Sequence, residues 1–312
     1  MYFGSVRFFK HVILSVIALL IIIPTAGCVG FAIQHQQLKT ENGLLLARQA
    51  QLTALLAAAE SVGAASAPAE TGGAEPAGAA AGAYPIAYQL EYPQLYVDNS
   101  WQYAPDSART IYLTFDDGPT SLTPDVLDIL GRYGIPATFF VVFRDDDFAR
   151  VQYQRIVNEG HTLAVHSATH DYNIIYRSVE DFLEDFAMLS ALLEEVTGVK
   201  PEIFRFPGGS VNSYNNAIRT ELIAEMLRRG YTYYDWDVSA GSSTNTATRD
   251  SIYGSVVNGV SGRDRAIVLL HDAGTRATVE ALPGIIEGLL ASGYQFGALD
   301  KTIRPARFDY LF

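Results

Sequence analysis

The sequence predicts an α/β fold in which a parallel sheet closes, or nearly closes, into a barrel. Two observations carry this. Short apolar runs with β-branched or aromatic content recur seven times between residues 111 and 299, and helical stretches with recognisable ends separate them. Seven strand-plus-helix units in about 190 residues imply a parallel, curved sheet. A third observation sets this part of the chain off from the rest. The preceding residues read as an apolar run, a stalk and a small-residue linker, in that order.

Of the 312 residues, 49% are hydrophobic and 18% charged, enough to bury a sizeable core. The net charge of −12 is uneven: +2 over residues 1–33, −4 over 34–110 and −10 over 111–312. An acidic globular part lacks the lysine and arginine surface that nucleic-acid binding needs, so no nucleic-acid partner is expected. Cys28 is the only cysteine, which excludes an intramolecular disulfide and a cysteine-rich zinc module. Any metal must therefore be held by histidines and carboxylates.

Residues 1–11 read as a short cytoplasmic tail with Arg7 and Lys10. Residues 12–33 are 22 consecutive uncharged, mostly apolar residues, long enough to span a bilayer as an uncleaved signal anchor. A lipoprotein signal ending at Thr25-Ala26-Gly27-Cys28 is the alternative, against which stand Pro24, Thr25 and the apolar run continuing past Cys28. Either reading puts the remainder outside the cytoplasm, at the cell membrane. Residues 34–61, with Leu38, Leu45, Leu52, Leu55 and Leu56 near heptad spacing, suggest a helical stalk that Gly43 weakens. Residues 62–83 are almost all Ala, Gly, Ser, Pro, Thr and Glu, a flexible spacer. Residues 84–107 form an aromatic, proline-dotted extended lead-in to a domain over 108–302, followed by a tail over 303–312.

Within the domain, strands are expected at Ile111–Phe115, Ala137–Val142, His161–Val165, Ile203–Phe206, Tyr231–Trp236, Ala266–Leu270 and Tyr294–Leu299. Thr123-Pro124 reads as an N-cap with an N1 proline, and Gly134 as the stop of that helix. Asp145-Asp146-Asp147 reads as a capped, acidic helix start. Ser178 opens a helix that runs to Thr197 and stops at Gly198. His161 reads as a structural hydrogen-bonder, and Tyr231, Tyr233, Tyr234 and Trp236 as core before sugar-stacking groups.

In β/α barrels reactive side chains sit where strands end. Here the first strand ends in Asp116-Asp117-Gly118-Pro119, the third in His166-Ser167-Ala168-Thr169-His170, the fourth in Arg205-Phe206-Pro207-Gly208-Gly209 and the sixth in His271-Asp272. Two histidines four apart, joined by a carboxylate from another strand, make a catalytic metal site by composition, open to water and substrate. Because side chains alternate along a strand, Asp116 and Asp117 are expected to point to opposite faces, one to a metal and the other to the substrate.

Thr114-Phe115-Asp116-Asp117-Gly118-Pro119, His166-Ser-x-x-His170, Arg205-x-Pro207-x-Gly209 and Leu269-Leu270-His271-Asp272 resemble, in order and spacing, the motifs of the polysaccharide deacetylase (NodB homology) family, the fourth family of carbohydrate esterases. The resemblance implies a distorted seven-stranded (β/α) barrel that removes N-acetyl or O-acetyl groups from glycans with a divalent metal. Zinc is the expected metal, and cobalt, nickel or manganese are the alternatives. By that resemblance Asp116 is the catalytic base, Asp117, His166 and His170 the metal ligands, His271 the catalytic acid and Arg205 the partner that orients Asp116. Pro207, Gly208, Gly209 and Leu270 are implied to line the substrate site, a backbone N–H near Gly208 completing an oxyanion site. The implied partner is an N-acetylated polysaccharide, with peptidoglycan N-acetylglucosamine foremost.

One motif departs. Where the resemblance implies two aspartates and a tryptophan after the fifth strand, the chain has Ser239, Ser242 and Ser243. That removes the expected support of His271, for which Asp235, Asp237 and Asp272 are the candidate substitutes. It also raises an alternative function, a catalytically impaired glycan-binding protein on the same fold. Retention of every ligand and of both acid–base candidates argues against it.

Overall fold

The computed structural model describes residues 86–105, 109–243, 246–273 and 276–308. The anchor, stalk and linker expected over residues 12–83 lie outside them. No helix among the described residues is long and apolar enough to cross a membrane.

After a one-turn helix α1 (Ala87–Leu90), strands and helices alternate. They run β1 (Thr110–Asp116), α2 (Thr123–Tyr133), β2 (Thr138–Val142), α3 (Asp147–Asn158), β3 (Thr162–Ser167), the short α4 (Tyr172–Ile175), α5 (Val179–Thr197) and β4 (Ile203–Phe204). There follow α6 (Arg219–Arg228), β5 (Thr232–Tyr233), β6 (Val238–Ser239), α7 (Arg249–Val260), β7 (Arg265–His271), α8 (Ala277–Ala291) and β8 (Gln295–Gly297). Each of the seven expected strands is present. The fourth and fifth are cut short, and β6 is an eighth strand beyond the seven expected; past the end of β5 the Asp235 N–H donates to Ala306 O rather than extending the ladder with β4.

All strand pairs are parallel, in the order β5-β4-β3-β2-β1-β7-β6, a curved sheet with helices between its strands. β8 pairs with residues 110–112 of β1, and β2 with residues 114–116, so the two share one flank of β1. Among the described residues β5 and β6 are not paired. The chain crosses that seam itself, with the Tyr234 N–H on Phe204 O and the Asp237 N–H on Ile267 O.

Strand alternation makes two cores. Ile111, Leu113, Phe115, Val268 and Leu270 face the helices, whereas Tyr112, Phe140, Ala164, Ile203, Tyr234, Ile267 and Leu299 fill the barrel. Leu270 is thus fully buried in the outer layer, not in the substrate site to which the resemblance assigned it. Period two puts Leu269, rather than Leu270, on the face of β7 that carries Ile267 and His271.

Helix ends follow local chemistry. Ser178 and Asp146 each accept a hydrogen bond from the backbone three residues on, and Gly134 and Gly198 end α2 and α5 in the left-handed region. Thr123 is not the N-cap of α2. Its hydroxyl accepts from the Thr120 N–H and donates to buried Asp272. His161 accepts from the Ala137 N–H at 3.1 Å, a structural role.

The lead-in is tied down by buried charge. Arg229 pairs with Glu225 at 2.6 Å and donates to the carbonyls of Tyr88, Glu91 and Tyr92, while Lys200 donates to those of Gln94 and Tyr96. Residues 303–308, set apart as a tail from the sequence, also pack on the barrel, with Ile303 and Ala306 against its interior cluster.

Candidate active site

Parallel register brings the strand ends together. Asp116 lies beside His271 on β7, and the Asp272 N–H donates to the Asp116 carbonyl at 2.8 Å. On β3 the pairing with β2 shifts between Val141 and Val142, so that Ser167 rather than His166 pairs with Val142. Such a bulge re-aims side chains at a sheet rim.

The two aspartates do not diverge as strand alternation predicts. β1 ends at Asp116, and Asp117 takes a left-handed conformation (φ 72°) that turns its carboxylate back over the strand ends. Asp116 Oδ2 is then 3.8 Å and Asp117 Oδ1 3.5 Å from the same atom, His166 Nε2. His170 is also left-handed (φ 54°), with Nε2 3.3 Å from Asp117 Oδ1. Left-handed non-glycine residues cost about 1–2 kcal/mol each and gather at functional sites.

Asp117, His166 and His170 each offer a ligand atom within 4.8 Å of the other two. His166 Nδ1 is 2.8 Å from the Arg205 carbonyl, which can only accept, so Nδ1 carries the proton and Nε2 presents its lone pair. Asp117 Oδ1 is buried and has no hydrogen-bond partner. Buried acceptors facing one another without a proton between them are unfavourable unless a cation joins them. The set of two imidazoles and one carboxylate fits a divalent first-row metal. Burial, and next the neighbouring His166, hold the His170 pKa below the usual imidazole value, which favours the neutral ring that a metal ligand needs.

Arg205 is fully buried beneath the site. Its Nη1 donates to Asp116 Oδ1 and Thr114 Oγ1, both at 2.7 Å, its Nε to Tyr234 O and its Nη2 to Asp235 O, and it lies 4.2 Å over the Phe140 ring. A buried guanidinium with four of its five N–H donors engaged is a rigid clamp on Asp116. Removing it would strand a buried carboxylate at a cost of about 3–5 kcal/mol.

His271 finds its partner in one of the serines. Ser242 Oγ lies 3.1 Å from His271 Nδ1 and also accepts the His271 N–H at 2.8 Å. Ser239 and Ser243 are exposed. The candidate substitutes are engaged elsewhere: Asp235 with Ser210, Asp237 with the Ile267 N–H, Asp272 with Thr120 and Thr123. Burial raises the Asp272 pKa to about 7. Burial lowers that of His271, opposed by the charges of Asp116 and Asp117.

Pro207, Gly208 and Gly209 form a turn closed by the Gly209 N–H on Phe206 O, with both glycines at positive φ and Pro207 O accepting from Tyr176 Oη. Gly208 is exposed, and its N–H has no partner among the described residues.

Asp185 escaped the sequence reading. It is buried on α5, where it accepts from Ser167 Oγ, Thr169 Oγ1 and the N–H groups of Ala168 and Thr169, all at 2.7–2.8 Å, and Ser167 Oγ accepts the His170 N–H. One carboxylate therefore shapes the turn that carries His170. Its signal was present, an acid within the apolar stripe Phe182, Leu183, Phe186 and Leu189. Asp185→Asn, which cannot accept all four bonds, is expected to weaken metal binding about 10- to 100-fold as measured by competition with a chelator.

Fold and site together place acid–base candidates beside three residues that could hold a cation, at the strand ends of a curved α/β sheet. The sequence model of the polysaccharide deacetylase family matches residues 103–227. A peptidoglycan-N-acetylglucosamine deacetylase of Bacillus cereus is 32% identical over 213 residues, covering 66% of this chain and 92% of that protein. A bifunctional xylanase/deacetylase of Pseudobutyrivibrio xylanivorans is 37% identical over 194 residues, 60% of this chain and 29% of that one. The crystal structure of the catalytic domain of a peptidoglycan N-acetylglucosamine deacetylase from Eubacterium rectale superposes with a TM-score of 0.64 at 34% identity, covering 67% of this chain and 96% of that one. The chain belongs to the polysaccharide deacetylase family, and it is an enzyme of that kind.

Proposed function

We propose that this deacetylase hydrolyses the N-acetyl groups of peptidoglycan N-acetylglucosamine, with a divalent metal, zinc first, held by Asp117, His166 and His170. The observation that carries the metal is the buried, unpartnered Asp117 Oδ1 facing two imidazole nitrogens. Two of the relatives described above act on peptidoglycan N-acetylglucosamine, which supports the substrate. The apolar run over residues 12–33 supports a membrane-anchored enzyme facing the cell wall.

A cation bound there would polarise the acetyl carbonyl and acidify water. Asp116, held by Arg205, takes the proton of the attacking water. The exposed Gly208 N–H meets the oxyanion that forms as the water oxygen adds to the carbonyl carbon. His271, steadied by Ser242, protonates the nitrogen as the carbon–nitrogen bond breaks, leaving acetate and an amine. Acetate release by the full chain tests the substrate. Peptidoglycan and N-acetylglucosamine oligomers are expected to be better substrates than acetylated xylan, and a preference for xylan would overturn the assignment.

The proton on His271 sets the alkaline limit. A serine hydroxyl cannot offset the imidazolium charge, and burial already lowers the pKa. In Ser242→Asp a carboxylate beside Nδ1 favours the protonated ring and raises its pKa. The acid then stays protonated to higher pH, so the alkaline limb for an N-acetylated glycan should move up by about one unit. An ester, whose alkoxide leaves more readily than an amine anion, should shift less. Identical limbs in both proteins would show that another group supports His271.

A further inference from the structure

The last described residues cross the seam between β5 and β6. Tyr234 Oη donates to the carbonyls of Asp300 and Ile303, at 2.7 and 2.6 Å, and the Asp235 N–H donates to Ala306 O at 2.9 Å. The Phe308 N–H in turn donates to Asp235 Oδ2 at 2.8 Å, and Asp235 Oδ1 accepts the Ser210 N–H at 2.8 Å. One fully buried carboxylate thus ties residues 300–308 to the turn that bears Gly208 and Gly209.

This strap delivers Phe308 to the turn. A methyl group built on Gly209 would lie 2.6 Å from Phe308 Cε2 and 3.2 Å from Trp236 Cη2, so both rings lie against a position where only glycine fits. The two rings meet edge to face at 4.9 Å, and the Trp236 ring centre is 5.7 Å from the guanidinium carbon of Arg205, which holds Asp116. Next to it, Gly208 is backed by Tyr172, whose hydroxyl would be 3.0 Å from an added methyl. Tyr172 in turn contacts His170 at 5.4 Å and the exposed Tyr214 at 5.1 Å between ring centres. Of these four rings, Trp236, Phe308 and Tyr172 are partly exposed and Tyr214 is exposed.

We infer that Trp236 and Phe308 on one side of the Gly208–Gly209 turn, and Tyr172 and Tyr214 on the other, form a subsite for the acetylated pyranose, with Phe308 a substrate-binding residue supplied by the C-terminal strap. A pyranose presents apolar C–H faces and a polar rim. Half-exposed aromatic rings beside backbone N–H groups and carboxylates match both. The inference rests on the deacetylase reading and adds the place where the sugar ring sits.

The test compares Phe308→Ala and Phe308→Tyr in the full chain. With the tetramer of N-acetylglucosamine, Phe308→Ala should raise KM about tenfold with a smaller change in kcat, and Phe308→Tyr should restore the KM. With 4-nitrophenyl acetate, which has no pyranose, the loss should be several-fold smaller. A second readout needs neither metal nor turnover. Trp101 and Trp236 are the only tryptophans, so in a Trp101→Phe background the fluorescence of Trp236 should shift on adding the tetramer to chelator-treated protein, with a Kd about tenfold weaker in Phe308→Ala. Equal losses on both substrates together with a lowered Tm would reduce Phe308 to a structural residue and overturn the inference. An unchanged KM and Kd in Phe308→Ala would overturn it too, while wild-type acetate release left the deacetylase reading standing. Absence of acetate release by the wild type would sink that reading instead, and the fluorescence titration would still decide the subsite.

Discussion

His170→Ala, His166→Ala and Asp117→Ala are each expected to lose bound metal and acetate release together. Each change removes one of the three proposed ligands, so affinity should fall by more than the roughly 100-fold typical of losing an outer partner. Elemental analysis of the purified variants, alongside acetate release from N-acetylglucosamine oligomers, measures both. Full metal occupancy in His170→Ala would refute the ligand assignment. Asp117→Asn adds a reading free of turnover. Asparagine tolerates the left-handed backbone at this position and offers a donor to the His166 Nε2 lone pair, which Asp117 Oδ1 now faces. The metal-stripped variant should therefore have a higher Tm than the metal-stripped wild type, and metal should raise the Tm of the wild type alone.

Asp116→Asn and His271→Ala should keep the metal and still lose turnover by about 100-fold or more each, the usual scale of a proton transfer. Neither residue belongs to the set of three ligands, and each has its own support, Arg205 for Asp116 and Ser242 for His271. Asparagine at 116 can still accept from Arg205, so its loss of rate reports the missing base rather than a lost clamp. The separation of the two properties is what distinguishes these variants from the ligand variants: metal content near wild type, kcat collapsed. Near-normal turnover in His271→Ala would mean that another group protonates the leaving nitrogen.

Much of this was legible because strand ends in a β/α barrel are where side chains meet, so apolar runs located the strands and the residues just beyond them located the site. What was not legible depended on departures from regular geometry. Asp117 was expected to alternate away from Asp116, but the strand ends at Asp116 and the left-handed turn at Asp117 brings both carboxylates to His166. The fifth strand was drawn too long because nothing local shows that the Asp235 N–H will be taken by Ala306 O from a distant segment. Ser242 read as a loss, yet its hydroxyl lies 3.1 Å from His271 Nδ1 and partners that ring. Leu270 was assigned to the substrate site against the period-two rule that puts it among the helices. Asp185 could have been found, since an acid on an apolar helix face needs a reason to be buried.

The central claim is that one divalent cation on Asp117, His166 and His170 turns this barrel into a glycan deacetylase. The most direct test is to strip the full chain with chelator and titrate zinc back while following acetate release from N-acetylglucosamine oligomers. The account predicts no release from the stripped protein, a linear rise and a break at about one equivalent of metal per chain. Release at full rate from the stripped protein, or one bound equivalent with no acetate released from any glycan, would contradict it.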